Sequence, residues 1–394
     1  MNVERINANL HWFLSFGFGI FLTSPFWAES KSNITTGYYL GFLLPTVLIA
    51  ILKFRELSDL FESTSFRIYL LFGLWATLSI FWSSSDESVI SLVKRPLYIA
   101  ALFVGVFFLI RWSETRFHSI LRISALVATL WMGWWLYRFI ILGGTPAERF
   151  MGYGPSINPI HFSQVLGFFF LYWLVSWWHS PQKFSLLDLT GVLVMFLALT
   201  YANSRSPFLG ILLAIFLISA IKRDRRAVWV SLGMAAAAIL FYTNTSIRIL
   251  EPNTSYRFDV WKEVLVKFAE SPLYGHGYDA GIEFFVPKIK SFFTDTHGIH
   301  FGVLFELGVI GLIIWIVFYA SLARDFFRSE KTPLIMFSGC LAIFGFGSGI
   351  TDGMTYLSRP KEHWFILWLP FSMLLASVLV SKESRANLSS PASK

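Results

Sequence analysis

The sequence predicts an all-α integral membrane protein, and three observations carry that prediction. Hydrophobic residues make up 55% of the 394 and charged residues 14%, with a mean hydropathy of +0.60, too apolar for a soluble domain of this length. Twelve apolar segments recur along the chain, each near the roughly 20 residues that a helix needs to cross a bilayer core. Basic residues are shared unequally between the connections on alternate sides of those segments.

The first segment, 10–28, follows a short stretch containing Arg5 and is long enough to span, which reads as a retained signal anchor. Segments at 34–52, 67–82, 92–110 and 120–142 come next. The sixth, 159–178, opens on Asn158 and Pro159, a capping residue followed by proline in the first turn. Segments 186–202 and 207–221 flank "YANSRSPFLG", where Ser206 and Pro207 repeat that start. After a ninth segment at 227–243, residues 244–298 contain no spanning stretch, and structured loops of that length are usually functional. Segments 299–322, 332–350 and 363–381 complete a single polytopic domain, 1–394. No internal repeat relates the two halves, which disfavours a transporter or flippase built from paired repeats.

If the N-terminus is cytoplasmic, the inside connections and termini hold 18 of the 32 basic residues against 10 acids. The outside holds 14 against 13. The positive-inside rule therefore sets both termini in the cytoplasm and the long loop outside. Cys340 is the only cysteine, so an intrachain disulfide and a thiolate metal cluster are both excluded. No charge run suggests a nucleic-acid partner; the implied surroundings are membrane lipids.

Within the loop, "SYRFDVWKEVLVKFAES" has helical periodicity, with Val260, Trp261, Val264, Leu265 and Phe268 on an apolar stripe. Arg257 projects from the middle of that stripe, where its charge must reach water or an anion. Arg205 precedes a helix N-terminus on the same side, a place where free N–H groups and a guanidinium converge and which suits a phosphate. Arg257 could equally snorkel from the helix's first turn or pair with a carboxylate, and Arg205 could contact lipid headgroups or be solvated at the interface. Arg149, in "ERFMGYGPSINPIHF", is a weaker candidate of the same kind, and His161, Gln164 and Arg138 could line a cavity beneath it.

His297 and His300 sit at the lip of the tenth segment with Asp295 close by. Three readings stay open for them: a metal site, a general base for a hydroxyl, or interfacial histidines that cap the helix. No H-E-x-x-H or acid-rich metal motif accompanies them. Glu306 is the only acid well inside an apolar segment, Asp188 lying at the edge of its own, and it sits half a turn round the helix from His297, so it is not expected to be that residue's partner. Asp352, Tyr356, Arg359 and Lys361 add polar groups on the same side.

The order of these features resembles the O-antigen ligase and polymerase family of bacterial envelope glycosyltransferases, over roughly residues 186–322. The matching pieces are "NSRSPFLG", "RFDVWKEVLVKFAESPLYGHGYDAG" and "THGIHFGVLFELGVIGL", with "ERFMGYGPSINP" similar to an earlier outer loop. Aligned on Glu306, Leu307 and Gly308, the family histidine falls on His297, and Gly298 stands where the family usually has asparagine. The resemblance implies that Arg205 and Arg257 bind the diphosphate of an undecaprenyl-diphosphate-linked glycan and that His297 serves the acceptor hydroxyl. Arg149, His300, His161 and Arg359 are further candidates for the substrate cavity. It also implies inverting transfer with no metal or other cofactor, at the periplasmic face of a Gram-negative inner membrane. The small cytoplasmic mass and single large outer loop resemble the ligases, which use lipid A-core as acceptor, more than the polymerases.

Overall fold

A computed structural model describes residues 3–145, 148–179, 185–222, 256–288 and 290–389, with residue 233 alone between the third and fourth. Helices dominate it. The first two are α1 (Val3–Trp27) and α2 (Lys31–Leu52), the second containing one wide turn at Tyr39–Leu43. Next come α3 (Thr64–Trp82), α4 (Val89–Trp112), α5 (Glu114–Ile141), α6 (Pro159–His179), α7 (Leu186–Ala202) and α8 (Ser206–Lys222). After the undescribed stretch come α9 (Arg257–Phe268), α10 (Ile299–Arg328), α11 (Pro333–Thr351) and α12 (Glu362–Arg385).

Eight of these helices are long and apolar enough to cross a membrane: α2 to α6 and α10 to α12. α7 and α8 are apolar but shorter, and α1 falls outside the eight although it has 25 residues. Eleven of the twelve predicted segments thus coincide with helices, and the ninth, 227–243, lies outside the described residues apart from residue 233. Twelve crossings are therefore not established. The bundle presents lipid-like surfaces: Leu130 on α5 is 74% exposed and Phe216 on α8 is 72% exposed. Its interior is aromatic, with Trp173, Trp315, Trp364 and Trp368 fully buried.

Two features were not anticipated. The long loop contains a two-stranded antiparallel ribbon, β1 (Phe284–Val286) with β2 (Ser291–Phe293), so the loop is not purely helical. Val286 and Phe284 turn inward, and with Ile282, Val260, Val264 and Phe305 they form a small second core that seats α9 against α10. Leu265, expected on the buried stripe, is 46% exposed, so the face of α9 that packs is narrower than the sequence suggests.

The second feature is a break in α10. Gly308 has φ 67° and ψ −168°, and the helix divides there. A loop segment fills the break: Val309 N donates to Pro272 O at 2.9 Å, His276 N to Phe305 O at 3.0 Å, and Gly277 N to Glu306 O at 2.8 Å. Trp75 Nε1 donates to Leu307 O at 3.1 Å. A Cβ on Gly308 would lie 2.3 Å from Leu273 O, and one on Gly275 would lie 2.4 Å from Glu306 O. The glycine turn at 275–277 and the Glu-Leu-Gly at 306–308 are thus two halves of one joint, which fixes the loop to the bundle.

Candidate active site

The joint positions everything between α9 and the start of α10. Trp261 stacks on Phe301 at 5.0 Å and points its Nε1 toward His297 O at 3.4 Å, which binds α9 to the entry of α10. Arg257 is one helical turn before Trp261, so it is carried to the same place. Its Nε is buried and has no hydrogen-bond partner among the described residues. Burial pulls its pKa down, while Asp352 supports the charge and Arg205 opposes it. Two guanidinium groups and one carboxylate therefore act on one another across three separate segments.

His297 adopts φ 49°, a left-handed backbone uncommon for a residue with a Cβ. Asp295 holds it there, its Oδ1 accepting from His297 N at 2.6 Å, and the ring rests edge-on to Phe293 at 5.6 Å. Such local strain collects at functional positions, where the surroundings impose it. Burial lowers the pKa of His297 first, Asp295 acts upward and Arg257 downward, leaving the imidazole neutral near pH 7. Next to it, Gly298 is extended, and a Cβ there would meet Ile350 O at 2.8 Å. That contact accounts for glycine at a place where the resembling family usually carries asparagine.

Asp352, just past α11, is pushed up to about 7 by burial and by Asp295, against the pull of Arg257. Gln164 of α6 donates from Nε2 to Asp352 Oδ2 at 2.6 Å, and its Oε1 is buried with no partner among the described residues. Asp352 and Gln164 were noted in the sequence only as polar residues near a cavity. Their junction joins residues 188 apart, which no local pattern reveals.

The other candidates scatter. Ser206, expected to cap α8, is its first residue, and its hydroxyl donates to Ser348 O at 3.0 Å, tying Arg205's turn to α11. Asn158 does cap, its Oδ1 accepting from Ile160 N at 2.9 Å. Arg149 is exposed, though its neighbour Phe150 N donates to Tyr201 O at 2.9 Å and brings that loop beside the Arg205 turn. Arg138 stands over Trp135, whose ring stacks on Tyr153 of that loop at 5.9 Å. His300 accepts from Trp315 Nε1 at 3.0 Å and packs against Phe346, between α10 and α11. Arg359 is exposed and donates to Ser91 Oγ at 2.9 Å. His161 stands 4.2 Å from His363, ring to ring.

Glu306 is 4% exposed and belongs to a different cluster. Its Oε2 accepts from Tyr356 Oη at 2.6 Å and from Asp279 N at 3.1 Å. Asp279 in turn accepts from Arg95 Nη1 at 2.7 Å and from Ser85 Oγ at 2.8 Å, and Arg95 pairs with Glu87 at 3.1 Å. None of these bonds runs to His297.

Residues 190–316 match the family model described as O-antigen ligase, a span that contains Arg205, Arg257, His297 and the Glu306–Gly308 joint. A curated protein of Pseudomonas aeruginosa named O-antigen ligase is 33% identical over 367 residues, which covers 93% of this chain and 90% of that protein. Similarity of that extent, carried on a bundle of apolar helices, establishes that the chain belongs to the O-antigen ligase family of glycosyl-transferring membrane enzymes.

Proposed function

We propose that the chain is an O-antigen ligase in the narrow sense: it moves O-antigen glycan from undecaprenyl diphosphate to lipid A-core, at the periplasmic face of the inner membrane of a Gram-negative bacterium. The observation that carries this reading is the half-buried guanidinium of Arg257, its Nε without a partner among the described residues, within the field of Arg205 and beside the neutral imidazole of His297. A buried donor without an acceptor is costly, and an anion removes that cost.

In this mechanism the donor diphosphate lies between Arg205 and Arg257. The acceptor hydroxyl oxygen attacks the anomeric carbon from the side opposite the diphosphate, and the bond from that carbon to the diphosphate oxygen breaks. His297 takes the hydroxyl proton, for which a lowered pKa suits it. Charge grows on the leaving diphosphate as the bond breaks, so both guanidinium groups bind the transition state more tightly than the ground state. One displacement inverts the anomeric centre. The arginines supply the charge that a divalent cation would otherwise provide.

The test is reconstitution of purified protein with lipid-linked glycan, offering lipid A-core and a lipid-linked repeat unit as acceptors in parallel, with and without a chelator. The reading expects product on lipid A-core, of inverted configuration and unaffected by chelation. Product on the repeat unit alone would make the chain a polymerase, and movement of lipid without covalent product would make it a transporter.

A further inference from the structure

A second group of unsatisfied polar atoms lies against Gly353, the residue after Asp352. His363 is 3% exposed and neither ring nitrogen has a hydrogen-bond partner among the described residues. His161 faces it at 4.2 Å, one helical turn before Gln164 on α6. A Cβ on Gly353, which has φ 79°, would lie 3.1 Å from His363 Nε2 and 3.3 Å from Ile299. Only a glycine and an isoleucine side chain therefore separate this cluster from the backbone that carries His297.

The charges there select the ligand. Lys31 and Lys361 both act on the two imidazole rings. Lys361 has no hydrogen bond or ion pair from its ammonium among the described residues, and burial draws its pKa down to about 8. Two lysines whose charges act on both histidines oppose a cation, and no group of three described His, Cys, Asp or Glu side chains is arranged to hold one. Glu362 is 3% exposed, and its Oε1, like the buried Oε1 of Gln164, has no partner among the described residues. Those oxygens accept hydrogen bonds but repel anions. The cluster thus offers ammonium and N–H groups for a phosphate beside oxygens for hydroxyl groups.

We propose that Lys361, Lys31, His363 and His161 form a second subsite, distinct from the donor diphosphate site, that holds a phosphorylated sugar of the acceptor, with Glu362 and Gln164 receiving its hydroxyl groups. The proposal rests on the ligase reading for the identity of the acceptor. Charge-assisted hydrogen bonds are the strong ones, so the phosphate supplies most of the selectivity.

The test is equilibrium binding, without donor, of lipid A-core prepared with and without phosphate groups on its sugars. The wild-type protein is expected to bind the phosphorylated form about tenfold more tightly. Lys361→Gln and His363→Ala should each reduce that preference to about twofold or less, while Lys361→Arg retains it and Arg257→Ala leaves it unchanged. Binding of undecaprenyl diphosphate should be unchanged in Lys361→Gln, which also shows that the variant is folded. Equal binding of the two forms by wild type, or an intact preference in Lys361→Gln, overturns the subsite. A loss of undecaprenyl diphosphate binding in Lys361→Gln assigns these residues to the donor and overturns it too. The ligase reading fails separately, if wild type makes no covalent product on lipid A-core.

Discussion

Two clusters of charged groups lie at the same end of the bundle and treat their charges in opposite ways. Around Glu306, the charges are matched: Tyr356, Asp279, Arg95, Ser85 and Glu87 are joined by short hydrogen bonds and ion pairs. Around Arg257, they are not: Arg257 Nε is buried with no partner among the described residues, and Asp352 faces a guanidinium with its own pKa raised. A satisfied cluster resists change and needs nothing further. An unsatisfied one costs free energy in the empty protein and recovers it when a ligand arrives. By that difference the Glu306 cluster is scaffold and the Arg257 cluster is site, although the Glu-Leu-Gly sequence around Glu306 is as prominent a motif as the histidine before it.

Substitution should separate the two. Arg257→Ala and His297→Ala are expected to reduce glycan transfer by about 10²- to 10³-fold, the usual result of removing one group that stabilises the transition state or moves a proton. Their thermal unfolding should stay close to that of wild type. Glu306→Ala should do the reverse, lowering stability by about 2–4 kcal/mol through stranding Tyr356 Oη and Asp279 N, as measured by thermal or chemical unfolding. Glu306→Gln, which keeps an acceptor, should lose less. A stable but inactive Glu306→Gln would mean that this residue takes part in the chemistry and would dissolve the contrast.

Next in size is Gly308→Ala, expected to cost about 1–3 kcal/mol, because its φ is positive and its new Cβ would approach Leu273 O. The smallest effects concern pH. His297 has a lowered pKa, so transfer should hold down to pH values below the ordinary imidazole range and fall only as the ring becomes protonated. Asp352 loses its proton as pH rises through about 7 and then competes with the donor for Arg257. Donor KM should therefore rise by about two- to threefold between pH 6 and 8, a partly screened charge interaction, and the rise should flatten in Asp352→Asn.

Much of this was legible in the sequence and some was not, for physical reasons. Apolar runs of membrane length mark helices because lipid forces backbone polar groups to pair within the segment. Arg257 stood out because a cation on an apolar stripe breaks a periodic pattern. The ribbon at 284–293 was hidden because "FFV" and "SFF" carry no polar alternation, and the exposed Phe285 and Phe292 mask the inward pair. The joint between Gly275–Gly277 and the Glu306–Gly308 break is made by backbone atoms 29 or more residues apart, so both motifs could be seen and their contact could not. Asp352 and Gln164 meet from the α11–α12 turn and α6, and His363 of α12 packs against Gly353 beside them, facts of packing with no local signature.

The most direct test of the account is the binding of undecaprenyl diphosphate to wild type, His297→Ala and Arg257→Ala in the absence of acceptor. If Arg257 is left unpartnered for the diphosphate, wild type and His297→Ala will bind alike and Arg257→Ala will bind at least about tenfold more weakly. Equal affinity in all three proteins would contradict it.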